Sequence, residues 1–161
     1  MRAYQLPKGG AGIDALTKVE RPKPSPGHRQ VLVKVAACSL NFRDLGIVRG
    51  TYRMPSKENV IPLSDGAGEV VEVGFGVTRV KVGDKVAGNF FARWSGGEPP
   101  PDVQSTALGG AIDGMLAEYV SAGRRTGRCA GAPVVGRGGD VAMCGGHGVA
   151  RSGDAWRDAF G

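Results

Sequence analysis

The sequence predicts a mainly β domain with short helices, an α+β fold shaped as a small, partly open barrel, over residues 1–120, with a disordered tail over 121–161. Three observations carry that reading. Residues 30–37 alternate with a period of two, which places Val31, Val33 and Val35 on one face and Leu32, Lys34 and Ala36 on the other. Residues 66–73 are a β-branched run bounded by glycines. Past Val120 the composition changes abruptly.

Residues 1–6 alternate weakly and are expected to be strand. Residues 23–27 are a loop, because Pro22, Pro24 and Pro26 lack the N–H that a strand ladder requires. The strand at 30–37 follows. Residues 41–48 have helical spacing in Phe42, Leu45 and Val48, with Asn41 placed to cap the first turn and Gly46 and Gly50 keeping the helix short. After the strand at 66–73, Gly83-Asp84 turns the chain into a further strand at 85–87. Residues 121–161 hold 11 glycines in 41 positions and no Leu, Ile, Tyr, Lys, Glu, Asn or Gln, so neither a helix face nor a strand pattern can be drawn there.

At 161 residues the chain has room for one hydrophobic core. No apolar run approaches the roughly 18–20 residues that span a bilayer, and the first residues lack the apolar core of a signal peptide. The expected location is therefore the cytoplasm, with no membrane partner. Cys38, Cys129 and Cys144 at irregular spacing make no disulfide framework, as expected for a reducing compartment. The net charge of +6 raises the question of nucleic acid. Residues 1–120 hold 15 Lys and Arg against 12 Asp and Glu, interspersed and without an aromatic-laced basic stripe, so no nucleic-acid partner is expected.

Three blocks carry the chemistry: Ala37-Cys38-Ser39-Leu40-Asn41-Phe42-Arg43-Asp44-Leu45, then Pro62-Leu63-Ser64-Asp65-Gly66-Ala67-Gly68-Glu69-Val70-Val71-Glu72-Val73-Gly74, then Lys81-Val82-Gly83-Asp84-Lys85-Val86. In this order and spacing they resemble the GroES-like catalytic domain of medium-chain dehydrogenases/reductases, and within that superfamily the zinc-independent quinone and enoyl reductase branch. The resemblance covers residues 1–120. It implies an NAD(P)-dependent oxidoreductase with a small-molecule substrate, using NADP or NAD, and reducing a quinone or an activated C=C. An alcohol dehydrogenase-like activity and a non-enzymatic GroES-like binding module are the alternatives.

The site residues follow from the resemblance. Asn41 stands where zinc-dependent relatives place a Cys, and Ser64-Asp65 where they place a His-Glu pair. An amide and a hydroxyl do not replace thiolate and imidazole, so no zinc is expected. The second, structural zinc of those relatives needs four closely spaced Cys, and residues 88–114 contain none. Asn41, Phe42, Arg43 and Asp44 would lie beside the cofactor, with Asn41 donating a hydrogen bond to cofactor or acceptor. Tyr52 would be the candidate proton donor, and Ser64 and Asp65 would line the substrate cleft. Each has a plain structural rival: Asn41 as a helix cap, Asp44 as partner to Arg43 or a backbone amide, Tyr52 as a packing aromatic. Cys38 reads as a small core residue and not a ligand.

The resemblance also bears on the tail. Back-translated with GC-rich codons and re-read in a shifted frame that starts inside the Val120 codon, the residues from Ser121 onward permit the string EEAATLPCAAVTAW, whose Cys is forced by the codons of Met143 and Cys144. That string resembles the segment leading into the nucleotide-binding domain of the family. The tail is accordingly expected to be out of frame, and the strand, glycine turn and helix of a Rossmann domain to be absent from these 161 residues. The family's dimer surface would be missing with it, the chain alone would be inactive, and no cofactor would bind it tightly.

Overall fold

A computed structural model describes residues 1–94 and 97–123, together with the backbone of residues 127–128 and 150–151. Its elements are β1 (Arg2–Gln5), β2 (Thr17–Glu20), β3 (Val31–Ser39), α1 (Phe42–Val48), β4 (Asp65–Val73), β5 (Lys85–Ala87), β6 (Tyr119–Ala122), β7 (Gly127–Arg128) and β8 (Ala150–Arg151). Short 3-10 turns lie at Ile13–Ala15 and Val103–Thr106. The main sheet runs β6-β3-β4-β5-β7, with β8 also on β3, while β1 and β2 pair separately. This is the mainly β, unclosed arrangement the patterning predicts. Among the described residues no helix is long and apolar enough to cross a membrane.

The two nine-residue strands β3 and β4 are the backbone of the domain, antiparallel from Val31 opposite Val73 to Ser39 opposite Asp65. Strict alternation along β3 does not survive. Leu32 is buried as deeply as the valines beside it, and the register shifts between Leu32 and Val33, where Val71 of β4 is the extra residue, and again between Val35 and Ala37, where Ala36 is. One apolar cluster joins Val31, Val33, Val70 and Val86 across β3, β4 and β5. A second, on the far part of the sheet, packs Cys38 with Ile61, Leu63, Met115 and Leu116. A third seats α1 through Ile47 and Val48 against Leu6 and Val60. Backbone hydrogen bonds between Leu6 and Val60, in both directions, and from Tyr4 N–H to Leu116 O tie the small β1–β2 sheet to the rest.

The expected domain boundary at Val120 falls inside β6, which continues to Ala122, with Ser121 opposite Leu32 and its hydroxyl donating to Gln30 at 3.1 Å. The expected disorder of the tail concerns residues that otherwise lie outside those described. Two exceptions are β7 and β8, whose backbones pair with β5 and β3 in a stretch where no strand pattern can be drawn. β2 and β6 were likewise not legible, being four residues each, the first mostly exposed and the second mostly half-buried.

Candidate active site

The register of β3 on β4 builds the site. Ser39 ends β3 opposite Asp65, which begins β4, so the chain entering α1 passes directly beside the Asp65 carboxylate. Asn41 is the N-cap of α1, in an extended backbone conformation, and its backbone N–H donates to Asp44 Oδ2 at 2.8 Å. Its side-chain Nδ2 donates to Asp65 Oδ2 at 2.7 Å. The helix cap and the residue the resemblance places beside the cofactor are the same asparagine. Asp65 Oδ2 also accepts the Ser64 hydroxyl in a short hydrogen bond.

A strained residue aims this group. Leu63, immediately before Ser64, has φ 70°, a conformation that costs a non-glycine residue about 1–2 kcal/mol. The loop that follows residue 106 holds it there: Met115 N–H donates to Leu63 O at 2.9 Å, and Gly109 packs against the Leu63 backbone so closely that a Cβ would lie 2.6 Å from it. Ser64 is 1% exposed, so the surface expected to line a cleft is supplied by Asp65 and Asn41, with Ser64 behind them.

The other expected residues separate into two groups. Phe42 is 90% exposed and, with Leu40 and Leu45, forms an apolar surface around the start of α1. Arg43 lies between two rings, its guanidinium carbon 4.6 Å from the centre of Phe90 and 5.3 Å from that of Tyr52, while Nη1 donates to Leu108 O at 2.9 Å. Tyr52 is thus joined to the site through Arg43, and among the described residues no hydrogen bond links it to Asn41 or Asp65. Asp44 is only 4% exposed and turns its carboxylate back onto the helix start, where it meets Asn41. Phe90, Leu108, Gly109 and Met115 carry no local motif, and only the fold brings them to the site.

Burial shapes the titration here. Burial pushes the Asp44 carboxyl up to about 6, against the lowering pull of the Asn41 N–H and the Arg43 charge, with the neighbouring Asp65 adding to the rise. Cys38, hydrogen-bonded to Met115 O, is pushed up to about 12, chiefly by burial and further by Asp44 and Asp65. Its thiol is a core group, as expected from the sequence. A cavity of about 1130 Å³ adjoins the site through Leu108 and Met115 and is lined further by Gln30, Val86, Trp94 and Asp113. It contains none of Asn41, Tyr52, Ser64 or Asp65, so volume alone does not mark the chemistry.

Known proteins share this architecture. The alcohol dehydrogenase GroES-like domain profile matches residues 27–133. A zinc-type alcohol dehydrogenase-like protein of Schizosaccharomyces pombe is 42% identical over 112 residues, which is 68% of this chain and 32% of that protein. A chloroplastic quinone-oxidoreductase of Triphysaria versicolor is 43% identical over 110 residues, 67% of this chain and 33% of its own length. A thermostable alcohol dehydrogenase from Pyrobaculum aerophilum superposes with a TM-score of 0.65 at 28% identity, covering 82% of this chain and 41% of that one. The chain thus spans about a third of the length of these curated relatives. With the two-strand frame, the capped short helix and the matched profile together, the chain belongs to the alcohol dehydrogenase GroES-like domain family, the catalytic domain of medium-chain dehydrogenases/reductases.

Proposed function

We propose that this domain forms the acceptor side of an NAD(P)H-dependent, zinc-independent oxidoreductase that reduces quinones or activated C=C bonds. The observation that carries the reading is the Ser64–Asp65–Asn41 hydrogen-bonded group in place of metal ligands. An amide nitrogen, a buried hydroxyl and one carboxylate satisfy each other and offer zinc no thiolate or imidazole. The donor set does not suit the metal, so the alcohol dehydrogenase chemistry that depends on zinc has no support at this site.

The residues do suit a nicotinamide. The exposed Phe42, Leu40 and Leu45 provide an apolar surface for a flat ring, and Asn41 stands at its edge with an amide donor. When bound, NAD(P)H supplies a hydride, so that quinone, NAD(P)H and one proton give hydroquinone and NAD(P)⁺. Asp65 takes one of the two Asn41 amide hydrogens and thereby fixes the plane of the group, leaving the second for the acceptor oxygen. A donor held in advance where negative charge develops lowers the barrier without reorganising in the transition state. Tyr52, backed by Arg43, is the proposed proton donor.

This chain on its own is proposed to turn over neither quinone nor NADPH, because it supplies one wall of a cleft whose cofactor-binding half is the other. The test has two arms. In a protein carrying both halves, Asn41→Ala should lower kcat by about 10²-fold, the order seen when one preorganised donor is removed. Metal analysis of the dialysed chain should find no stoichiometric zinc. One zinc per chain would return the alcohol dehydrogenase reading to first place, and an unchanged kcat would remove Asn41 from the chemistry.

A further inference from the structure

Asp44 does something that its place in a helix cap does not require. Its carboxylate is buried, yet only Oδ2 is used, accepting the Asn41 N–H at 2.8 Å, while Oδ1 is buried without a partner. An ionised carboxylate with a bare buried oxygen is costly, and a proton on that oxygen exchanges the buried charge for the smaller cost of an unpartnered hydroxyl while leaving Oδ2 free to accept. The groups facing it offer limited relief. Arg43, on its own helix, is the favourable charge, Cys38 from β3 is a neutral thiol, and Asp65 from β4 is a second carboxylate.

Asp44 and Asp65 are bridged by one residue, Asn41, which gives its backbone N–H to the first and its side-chain amide to the second. We propose that Asp44 is a positioning residue and that the two carboxylates act as one unit around Asn41, in which Asp44 takes up a proton on Oδ1 in mildly acidic solution while the Asp65 carboxyl orients the amide. This rests on the oxidoreductase reading for its purpose. A site that must accept negative charge on a bound acceptor is weakened by two carboxylates beside it, and a proton taken up by Asp44 as pH falls towards about 6 relieves one of them. Asp65 can then align Asn41 without a second charge opposing the developing oxyanion. The raised titration of Asp44, driven first by burial and then helped by Asp65, agrees with the geometry.

The test uses the full chain labelled with ¹³C and follows the side-chain carboxyl shifts of Asp44 and Asp65 between pH 4 and 8. Asp44 should titrate well above the ordinary aspartate value of about 3.9, and the Asp65 signal should inflect at that same pH, the signature of coupled groups. Asp65→Asn should move the Asp44 midpoint downward by removing the like charge. An ordinary Asp44 midpoint, or an Asp65 signal silent through the Asp44 transition, overturns the proposal. The wild-type inflection decides the matter even where the variant fails to fold. No nucleotide or acceptor enters these measurements, so their failure leaves the oxidoreductase reading intact, and failure of the reductase assay leaves the carboxylate unit intact.

Discussion

Replacing Gly109 by Ala should damage the fold far more than the same change at Gly83, and the difference measures how tightly the site loop is held. Both glycines have left-handed backbones, φ 69° and φ 89°, so each substitution carries the cost of placing a Cβ in that region, about 1–2 kcal/mol. At Gly83, in the exposed turn before β5, an added Cβ meets nothing within 4 Å. At Gly109 it would lie 2.6 Å from both the N and C atoms of Leu63 and 2.8 Å from its carbonyl oxygen. Backbone must therefore move, at a further cost of about 1–3 kcal/mol for forced overpacking. In a domain of this size each kcal/mol lowers Tm by about 4 °C. Gly83→Ala is expected to lose about 4–8 °C by circular dichroism melting and Gly109→Ala about 8–20 °C. Because Leu63 precedes Ser64, only the second variant should also shift the backbone amide signals of Ser64 and Asp65. Equal melting temperatures for the two variants, with unmoved signals at Ser64 and Asp65, would refute the claim that the approach of Gly109 to Leu63 aims the site.

Three further outcomes are expected. Asp44 binds its proton more tightly folded, up to about 6, than in the unfolded chain, where the ordinary value is 3.8, so its contribution to stability is fully present below about pH 4 and is lost as pH rises to about 6. Across that window the loss is on the order of 3 kcal/mol for a fully realised shift, and urea unfolding of Asp44→Asn should lack this fall. Arg43→Lys keeps the charge but loses the planar stack on Phe90 and Tyr52, and is expected to cost about 1–2 kcal/mol in the same assay, with no loss refuting the stacked role. Sequencing the coding DNA across the Ser121 codon should show that a single-nucleotide change opens a frame encoding EEAATLPCAAVTAW or a close variant. A gene in which neither alternative frame encodes it would sink the out-of-frame reading of the tail.

Much of the frame was legible because strands and short helices announce themselves locally. The alternation from Val31, the glycine-bounded run ending at Val73 and the Gly83-Asp84 turn each report a backbone preference held within a few residues. The helix was placed to within its cap, since Asn41 and the spacing of Phe42, Leu45 and Val48 need no partner to be read. The strands β2 and β6 escaped because a four-residue strand owes its existence to the neighbour it pairs with and leaves little pattern of its own.

The residue types at the site were also set by the sequence: an amide at position 41 and a hydroxyl beside a carboxylate at 64 and 65, where a metal would need sulfur and imidazole. What only the tertiary structure decided is how they meet. Antiparallel registry brings Asp65, 24 residues along the chain, within 2.7 Å of the Asn41 amide. It also sets Arg43 between Tyr52 and Phe90 and turns Asp44 inward with one oxygen unpartnered. Local sequence determines which groups a chain carries and the backbone they prefer. Their hydrogen-bond partners, burial and proton affinity are properties of the space around them, and that space exists only once distant strands have paired.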